Sequence, residues 1–412
     1  MFKAIKLNTW RQFEKVDIEF HPRLTILTGA NGAGKTTILN LINKHFGWYT
    51  PLVGTPKKDK KTGGLKFFSD FWKRIFENEK ENTNQINRIG QINYLNGTSC
   101  FLSVPEVVGS TYDINIEGQQ GIKGIHIPSH RPIYKYEQVS NISTQPISKE
   151  SAFSNYWHTS MQRFQGHGNH RTENYFIKET LISLATFGYG NEVVARNDEA
   201  VRLFEGFEII LRKVLPPKLG FKKISIRIPE VILETSSGDF ALDAVSGGVA
   251  SIIDLAWQIY MFNDNNPFTV TFDEPENHLH PEMQKTLLPN FLSAFPNAQF
   301  IIASHNPFII SSVPDSNVYV LNYNPNNKVE SILLENIEKS GTANEILREV
   351  LGIETTMPNW VDDKIESIIS KYSNTGITVE NLQSFKSELK TVGLDKYVSA
   401  SVANLIEKSK QK

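Results

Sequence analysis

Eight consecutive residues near the start of the sequence have the types and spacing of a phosphate-binding loop. They run from Gly29 to Thr36 and fit the pattern glycine, any four residues, glycine, lysine, then serine or threonine. Glycines let backbone N–H groups close around an anion, the lysine adds a positive charge, and the last hydroxyl can reach a magnesium ion. The loop therefore predicts a site for a nucleoside triphosphate, and we expect ATP with Mg²⁺.

The elements on either side of this loop support the prediction. Residues 24–28 have the composition of a short buried strand, and apolar residues recur at helical spacing over residues 37–42. A strand, a glycine loop and a helix in this order are the usual setting of a phosphate loop, which a chance glycine-rich turn lacks. The predicted nucleotide contacts are Gly29, Asn31, Gly32, Ala33, Gly34, Lys35, Thr36 and Thr37.

A second apolar run, residues 268–272, ends at two carboxylates, Asp273 and Glu274. The carboxyl ends of parallel strands are where ligands bind in α/β proteins. We expect Asp273, together with Thr36, to hold the metal, and Glu274 to orient and deprotonate an attacking water molecule. A strand-end turn or a helix cap is the structural alternative, which the upstream phosphate loop disfavours.

Two further segments can contribute to the same site. His305 follows a strand-like run over residues 300–304 and can contact a γ-phosphate, although a histidine in this position is often a capping residue. Ser246, Gly247 and Gly248, here called the Ser-Gly-Gly triplet, precede an apolar helix pattern, and glycines beside a helix N-terminus can bind an anion. The triplet alone is a common loop sequence. Its place between the phosphate loop and Asp273 gives it weight.

The order of these four motifs resembles that of ABC-type ATPases, and within that class the branch of RecF, SMC and OLD (overcoming lysogenization defect) proteins. The resemblance is carried by residues 20–32, by the Asp-Glu-Pro-Glu and His-Leu-His-Pro sequence within residues 273–281, and by Ser-His-Asn-Pro at residues 304–307. It covers roughly residues 1–325 and extends to stand-alone ATPases of bacterial antiphage operons of the Septu, PARIS and retron-associated kinds.

The resemblance implies a dimer in which two ATPase heads sandwich two ATP molecules. Each ATP would be held by the phosphate loop and Asp273 of one subunit and by the Ser-Gly-Gly triplet of the other, with Ser246 at the γ-phosphate. It further implies that Glu274 is the general base and that His305 is the switch histidine. Hydrolysis would then require a homodimer or a larger homo-oligomer.

Several positions depart from the family pattern or are assigned less directly. Residues 275–281 would lie at the dimer seam, an interpretation that we prefer to metal binding by the two histidines within them. Val249 stands where the family usually has a polar residue, which predicts weaker contacts across the dimer or slow hydrolysis. Gln138 is one candidate for the glutamine that couples the helical lobe to magnesium, and residues 129–132 are a candidate for nucleotide-linked movement. Arg11 can lie against adenine or phosphate, with an ordinary surface arginine as the alternative.

The pattern along the chain predicts an α/β fold. We expect an ABC ATPase head with a mostly parallel core sheet, an antiparallel side sheet within residues 86–127, a helical insertion and a helical C-terminal tail. The predicted regions are residues 1–150 with the phosphate loop and side sheet, 151–220 as the helical insertion, 221–325 with the other motifs, and 326–412 as a mainly helical C-terminal region. Residues 55–64, which contain four lysines, have the composition of an exposed loop.

The bulk composition limits the classes of partner. The 412 residues include 43 Lys and Arg against 44 Asp and Glu, so that DNA or RNA, which remain open as ligands, would need a local basic site. The single cysteine, Cys100, cannot form an internal disulfide, and no apolar run has the length of a membrane span. These features predict a cytoplasmic protein that does not contact a membrane.

The leading interpretation is an ATPase that controls a separate effector in antiphage defence, and we expect a nuclease of the HNH or TOPRIM type. The residues after His305 lack the strand-borne acidic cluster that an OLD-type nuclease domain carries, so cleavage would fall to the partner. His158 and the stretch His167–His170 lack the cysteine and acidic partners of a metal centre. A RecF-like DNA repair ATPase, the nucleotide-binding subunit of a transporter and a non-enzymatic ATP-binding scaffold are the alternatives.

Overall fold

A computed structural model of the chain describes residues 1–58, 63–70, 86–105, 107–143, 147–164, 166, 171–353, 357–373, 378–399, 401–402 and 405. The chain divides into two compact units, Met1–Ile346 and Leu347–Lys412. The four regions expected from the sequence are a finer division, which stays a prediction.

The first unit contains all of the described strands. In chain order they are β1 (Phe2–Trp10), β2 (Phe13–Glu19), β3 (Leu24–Gly29), β4 (Leu52–Val53), β5 (Thr55–Lys58), β6 (Leu65–Phe68), β7 (Ile86–Tyr94), β8 (Ser99–Pro105), β9 (Val107–Val108), β10 (Thr111–Tyr112), β11 (Asn115–Glu117), β12 (Gly124–Ile127), β13 (Phe221–Arg227), β14 (Glu230–Thr235), β15 (Gly238–Ala241), β16 (Phe268–Asp273), β17 (Ala298–Ala303), β18 (Asn317–Tyr323) and β19 (Val329–Leu333).

Helices follow or separate these strands. The α-helices are α1 (Lys35–Asn43), α2 (Lys149–Phe164), α3 (Glu173–Gly188), α4 (Asp198–Val214), α5 (Gly247–Phe262), α6 (Pro281–Ala294), α7 (Pro307–Ile310), α8 (Asn336–Lys339), α9 (Ala343–Glu345), α10 (Asn359–Ser373) and α11 (Val379–Thr391). Shorter helical turns are Lys44–Phe46, Pro217–Leu219, Leu242–Ala244, Ile346–Val350 and Asp395–Tyr397. Within the described residues, no helix has the length and apolar character needed to cross a membrane.

An eleven-stranded sheet in the order β11-β8-β7-β1-β2-β19-β18-β3-β17-β16-β12 forms the centre of the first unit. The strands from β18 to β12 pair in parallel, whereas β11, β8, β7, β1 and β2 pair antiparallel. The predicted α/β fold is confirmed, and its parallel and antiparallel parts are joined as one continuous sheet through β19, which pairs in parallel with β2 and antiparallel with β18.

The parallel part brings the predicted motifs to one edge. Strands β3 and β17 are buried at every position, as expected of parallel strands covered on both faces. In the register of the sheet, Asp273 at the end of β16 is opposite Ala303 of β17, and Ala303 is opposite Leu27 of β3. The chain segments that follow these three strands therefore leave the sheet side by side.

Two local predictions from the sequence were wrong. Residues 124–127 are not part of an antiparallel hairpin, because β12 pairs in parallel with β16 at the edge of the core. In this pairing His126 is opposite Thr271, which is 145 positions away in the sequence. Residues 55–58 form β5, which pairs with β6 and does not lie in an open loop, although Lys57 and Lys58 are exposed. Residues 59–62 of that stretch lie outside the described residues.

The helical insertion is present as α2, α3 and α4, and a buried lysine connects it to the chain before α5. The fully buried Nζ atom of Lys178 on α3 donates hydrogen bonds to the Glu137 carbonyl oxygen at 2.8 Å and to the carboxylates of Glu230 at 3.2 Å and Asp243 at 2.5 Å. Asp243 also accepts a hydrogen bond from Asn174. A buried charge is tolerated when it is paired in this way, so the cluster holds α3 against the segment that leads to the Ser-Gly-Gly triplet.

Replacing this lysine is expected to destabilise the first unit. The Lys178→Met variant leaves the Asp243 carboxylate buried without a partner charge, which predicts a loss of about 3–5 kcal/mol in the free energy of unfolding, measured by urea denaturation. The double variant Lys178→Met, Asp243→Asn removes both charges and should recover most of that loss. A single variant as stable as the wild type would contradict the assignment.

A buried histidine links α1 to the antiparallel part of the sheet. The ring of His45 lies within 3.0 Å of the Ile42 carbonyl oxygen and 2.8 Å of the Tyr94 hydroxyl, and it packs edge-on against Phe2 at 5.0 Å. Burial lowers the pKa of His45 from 6.5 to about 4. The folded protein therefore keeps this ring neutral at pH values where the unfolded chain protonates it.

Acidification is expected to expose this difference. The pKa of His45 is lower in the folded protein than in the unfolded chain. The contribution of His45 to the free energy of unfolding is therefore complete above pH 6.5 and is lost as the pH falls towards 4. In that window His45 should lower the free energy of unfolding by up to about 1.4 kcal/mol per pH unit. The His45→Gln variant, which retains a polar partner for Tyr94, should show a shallower slope in urea titrations at a series of pH values. Equal slopes in the two proteins would exclude a neutral buried His45.

The second unit has a small apolar core of its own, in agreement with the predicted helical tail. It is formed by α10, α11 and the residues after them, through Val361, Ile365, Ile368, Ile369, Phe385, Leu389, Leu394 and Leu405.

Candidate functional site

The phosphate loop connects β3 to α1 and depends on glycine at both ends. Gly29 has φ of +128°, and a Cβ atom at this position would be 2.3 Å from the Leu321 carbonyl oxygen of β18. Gly34, directly before α1, has φ of +97°, and a Cβ atom there would be 2.4 Å from the Phe13 ring. No other residue fits either position without a shift of its neighbours. Between these glycines Ala33 is buried, whereas Asn31 and Gly32 are exposed, and Thr37 in α1 is half-buried.

The side chain of Lys35 lies within the loop. Its Nζ atom donates hydrogen bonds to the carbonyl oxygens of Gly29 at 2.8 Å and Ala30 at 3.1 Å. Burial lowers the pKa of the Lys35 ammonium group, and the negative charges of Glu274 and Asp273 oppose this shift. A cation at the centre of a loop of backbone N–H groups is arranged to meet phosphate oxygens.

Thr36 and Asp273 meet across the sheet although 237 positions separate them. The Thr36 hydroxyl donates a hydrogen bond of 2.9 Å to Oδ2 of Asp273. Burial raises the pKa of the Asp273 carboxyl group, and this hydrogen bond acts in the opposite direction. A hydroxyl and a carboxylate oxygen are ligands that Mg²⁺ accepts beside phosphate and water, so the residues present fit the predicted metal.

The carboxylate of Glu274 is held on both sides. His305 Nδ1 lies 3.2 Å from Oε1 of Glu274, and the Asn277 side-chain amide donates a hydrogen bond of 3.2 Å to Oε2. The backbone of Glu274 has a left-handed φ of +47°, and its N–H group donates to the Ala303 carbonyl oxygen at 2.8 Å. Strain of this kind at a strand end persists when neighbouring groups fix the residue. His305 and Glu274, which follow two different strands, are thus brought together.

Sequence reasoning missed Arg131 and Asn277 as supports of Glu274. The guanidinium group of Arg131 donates hydrogen bonds to the carbonyl oxygens of Pro128 and, at 3.4 Å, of Glu274 itself. Burial lowers the pKa of Arg131, while nearby carboxylates, first among them Asp254 of α5, raise it. Arg131 lies within residues 129–132, the candidate for nucleotide-linked movement, but nothing local to this segment indicates a contact with a residue 143 positions away. By contrast Gln138, the candidate coupling residue, is exposed.

Glu276 is a third residue whose contacts the sequence did not reveal. Its side chain is buried, and Oε1 accepts a hydrogen bond of 2.5 Å from the Ser304 hydroxyl, which connects the end of β17 to the residues after β16. Burial raises the pKa of the Glu276 carboxyl group. This contact holds the two segments that carry Glu274 and His305 at a constant spacing.

The Ser-Gly-Gly triplet lies at the start of α5 and faces outwards. Ser246 is exposed, and its hydroxyl makes no capping hydrogen bond to α5. A Cβ atom on Gly248 would lie 3.2 Å from Sδ of Met283 and 3.3 Å from the His278 carbonyl oxygen. Among the described residues, no hydrogen bond joins the triplet to the phosphate loop of the same chain.

Arg11 lies near the phosphate loop without entering it. Its guanidinium group donates a 2.6 Å hydrogen bond to the Val53 carbonyl oxygen and lies 5.5 Å from the centre of the Trp10 ring. Its neighbour Gln12 reaches within 2.6 Å of the point where a Cβ atom of Gly34 would stand. A nucleotide contact by Arg11 stays a prediction.

The histidines considered as metal ligands form no cluster in the described part of the chain. No group of three or more His, Cys, Asp or Glu side chains that could hold a metal ion occurs there. His158 packs against the Trp157 ring at 5.4 Å, and the His280 ring accepts the first N–H group of α6 from Glu282. Residues 167–170 lie outside the described part.

Comparisons with known families and proteins agree with this geometry. A family model described as an AAA domain matches residues 4–187, and another, described as an AAA domain, putative AbiEii toxin, Type IV TA system, matches residues 135–311. The Septu protein PtuA of Bacillus thuringiensis is 21% identical over 88% of this chain and 87% of PtuA. The retron Ec83 probable ATPase of Escherichia coli is 22% identical over 50% of this chain and 36% of that protein.

Among solved structures, the SMC head domain from Thermotoga maritima is similar at 13% sequence identity and a TM-score of 0.38, over 81% of this chain and 99% of that one. The family models, the two relatives and the phosphate loop with its partners agree with the resemblance found in the sequence. The chain thus resembles ABC-type ATPases, and its relatives include a Septu protein and a probable ATPase of a retron.

Proposed function

We propose that this protein binds Mg-ATP at the phosphate loop and hydrolyses it with Glu274 as the general base. The observation that carries the proposal is the convergence of Thr36, Asp273, Glu274 and His305 from three separate strand ends, with two of the contacts at 2.9 Å and 3.2 Å. This arrangement supplies the positioning and charge stabilisation that phosphoryl transfer requires.

The side chains of the site have separable tasks. Lys35 can exchange its two carbonyl partners for phosphate oxygens with a small movement, because it already lies inside the loop. Thr36 and Asp273 would hold magnesium, which when bound neutralises phosphate charge. Glu274 would accept a proton from the attacking water, with Asn277 and His305 holding its two oxygens in place.

The ATP site is proposed to be completed by a second copy of the chain. The exposed Ser-Gly-Gly triplet at the start of a 16-residue helix leaves N–H groups and a hydroxyl available to an anion from outside. Val249 is buried, so the polar contact that the family has at this position is absent and the trans contacts fall to Ser246 and the glycine backbone. Slow hydrolysis is the expected consequence.

Control of a separate effector in antiphage defence is proposed from the relatives. PtuA is a Septu protein and matches nearly the whole chain, whereas a match to the DNA replication and repair protein RecF of Lactococcus lactis, 48% identical, covers 11% of this chain. A neighbouring gene for an HNH or TOPRIM nuclease would support the defence role. Neighbouring replication genes would favour a RecF-like role in its place.

Two substitutions test the site. Glu274→Gln should lower ATP turnover by about 10²- to 10⁴-fold while ATP remains bound, because the proton acceptor is lost and the binding groups are not. Lys35→Ala should abolish measurable ATP binding in equilibrium dialysis. Lys3→Ala, which removes an exposed lysine of β1, is the matched control and should behave as the wild type. Unchanged turnover in both site variants would refute the assignment.

Mixing inactive subunits tests the composite site. Lys35→Ala and Ser246→Arg should each be inactive, yet an equimolar mixture should recover up to about one quarter of wild-type turnover, because half of the random dimers contain one intact site of two. A mixture of Lys35→Ala with Glu274→Gln should recover nothing, since both changes damage the same half of a site. The dimer proposal fails if the first mixture is as inactive as the second.

A further inference from the structure

A cavity of about 660 Å³ lies beside the carboxyl end of β12. Three parts of the first unit form its wall: the segment that follows β12, the last turn of α2 and the start of α3. None of the phosphate-loop residues lines it. Its volume lies in the range of small-molecule sites, and the edge of the sheet at which it opens is the edge where α/β proteins bind ligands.

The lining carries a local excess of positive charge in a chain whose net charge is −1. Four cationic side chains, Arg131, Lys135, Arg163 and Arg171, line the cavity against one carboxylate, Glu173. Glu173 is already engaged, because Nε of Arg163 lies 3.1 Å from its Oε1 atom. Such a concentration of one charge within a concave wall raises the local concentration of anions.

Arg131 gives the cavity an unused donor. This residue is 7% exposed, and its two terminal nitrogens donate to the carbonyl oxygens of Pro128 and Glu274. Its Nε atom has no hydrogen-bond partner among the described residues. A buried charged group with an unsatisfied donor is rare, and an acceptor that arrives with a ligand would satisfy it.

The wall also offers apolar surface beside the cations. Phe164, at the end of α2, is 42% exposed and is held in place by Trp48, whose ring centre is 4.9 Å away. Ile133 is 75% exposed. A fixed aromatic face next to arginine and lysine side chains is the combination that binds a phosphate together with a flat ring.

We propose that this cavity binds a phosphorylated ligand of nucleotide size, with its phosphate on the cationic side chains and its ring against Phe164. A free nucleotide and the end of a nucleic acid strand share this chemistry. None of the phosphate-loop residues lines the cavity, and Arg131, which also donates to the Glu274 carbonyl oxygen, is the residue that the described cavity lining shares with the ATP site.

The test uses full-length protein that carries Lys35→Ala, so that nucleotide binding at the phosphate loop does not contribute to the signal. The probes are radiolabelled AMP in equilibrium dialysis and a short fluorescein-labelled oligothymidylate in anisotropy. Lys135→Gln, Arg171→Gln removes two exposed cations of the cavity, and Lys213→Gln, Lys222→Gln removes two exposed cations elsewhere as the matched control. The cavity variant should bind about tenfold or more weakly than the control, with a smaller dependence of affinity on salt.

If AMP binds and the cavity variant loses this binding, the site is assigned to a free nucleotide. If the oligonucleotide binds and AMP does not displace it, the site is assigned to the end of a nucleic acid strand. The proposal is overturned if neither probe binds, if both double variants bind equally, or if a polyglutamate peptide binds in their place. A Lys35→Ala protein that still turns over ATP would reject the proposed function and leave the cavity result intact.

Discussion

The hydrogen bond between Thr36 and Asp273 depends on the parallel pairing of β3, β17 and β16, and the rest of the site depends on that pairing. In this register the ends of the three strands stand side by side, so that a loop after residue 29, a carboxylate pair at residues 273 and 274, and a histidine at residue 305 reach one another. A slip of one residue in this pairing would move every side chain of the strand to the other face of the sheet. The packing of side chains in the core therefore defines the register.

Two buried cations extend this constraint beyond the sheet. Arg131 joins the segment after β12 to the backbone of Glu274 and lies in the field of Asp254 on α5, while Lys178 joins α3 to Asp243, three residues before Ser246. Each cation is buried with carboxylates or carbonyl oxygens around it. Moving one of these partners away would leave a buried charge without compensation, so the cost in free energy keeps the partners in one geometry. These contacts tie the segment after β12 to the edge of the sheet that carries Glu274, and the helical insertion to the segment before the Ser-Gly-Gly triplet.

Much of the site could be predicted because its motifs are local. The phosphate loop is recognisable since its glycines must occupy left-handed or crowded positions, which Gly29 and Gly34 do. Asp273 and Glu274 were predicted because an apolar run that ends in carboxylates is itself a strand signal. Arg131 and Glu276 were not, since each acts through a contact with a residue far away in the sequence. Asn277 was not either, because its place three residues after Glu274 does not reveal the direction of its side chain.

By itself the sequence determined the kinds of element, the glycine loop between β3 and α1 and the order in which the side chains of the candidate site follow one another, because backbone sterics and hydrophobic periodicity act over a few residues. The tertiary structure decided which strands are neighbours, for example that β12 leaves the antiparallel hairpins to pair with β16. It also decided which charges are buried together and where a basic cavity opens beside the sheet. These outcomes depend on packing between segments that are distant in the sequence, and chain-local preferences carry no information about such contacts.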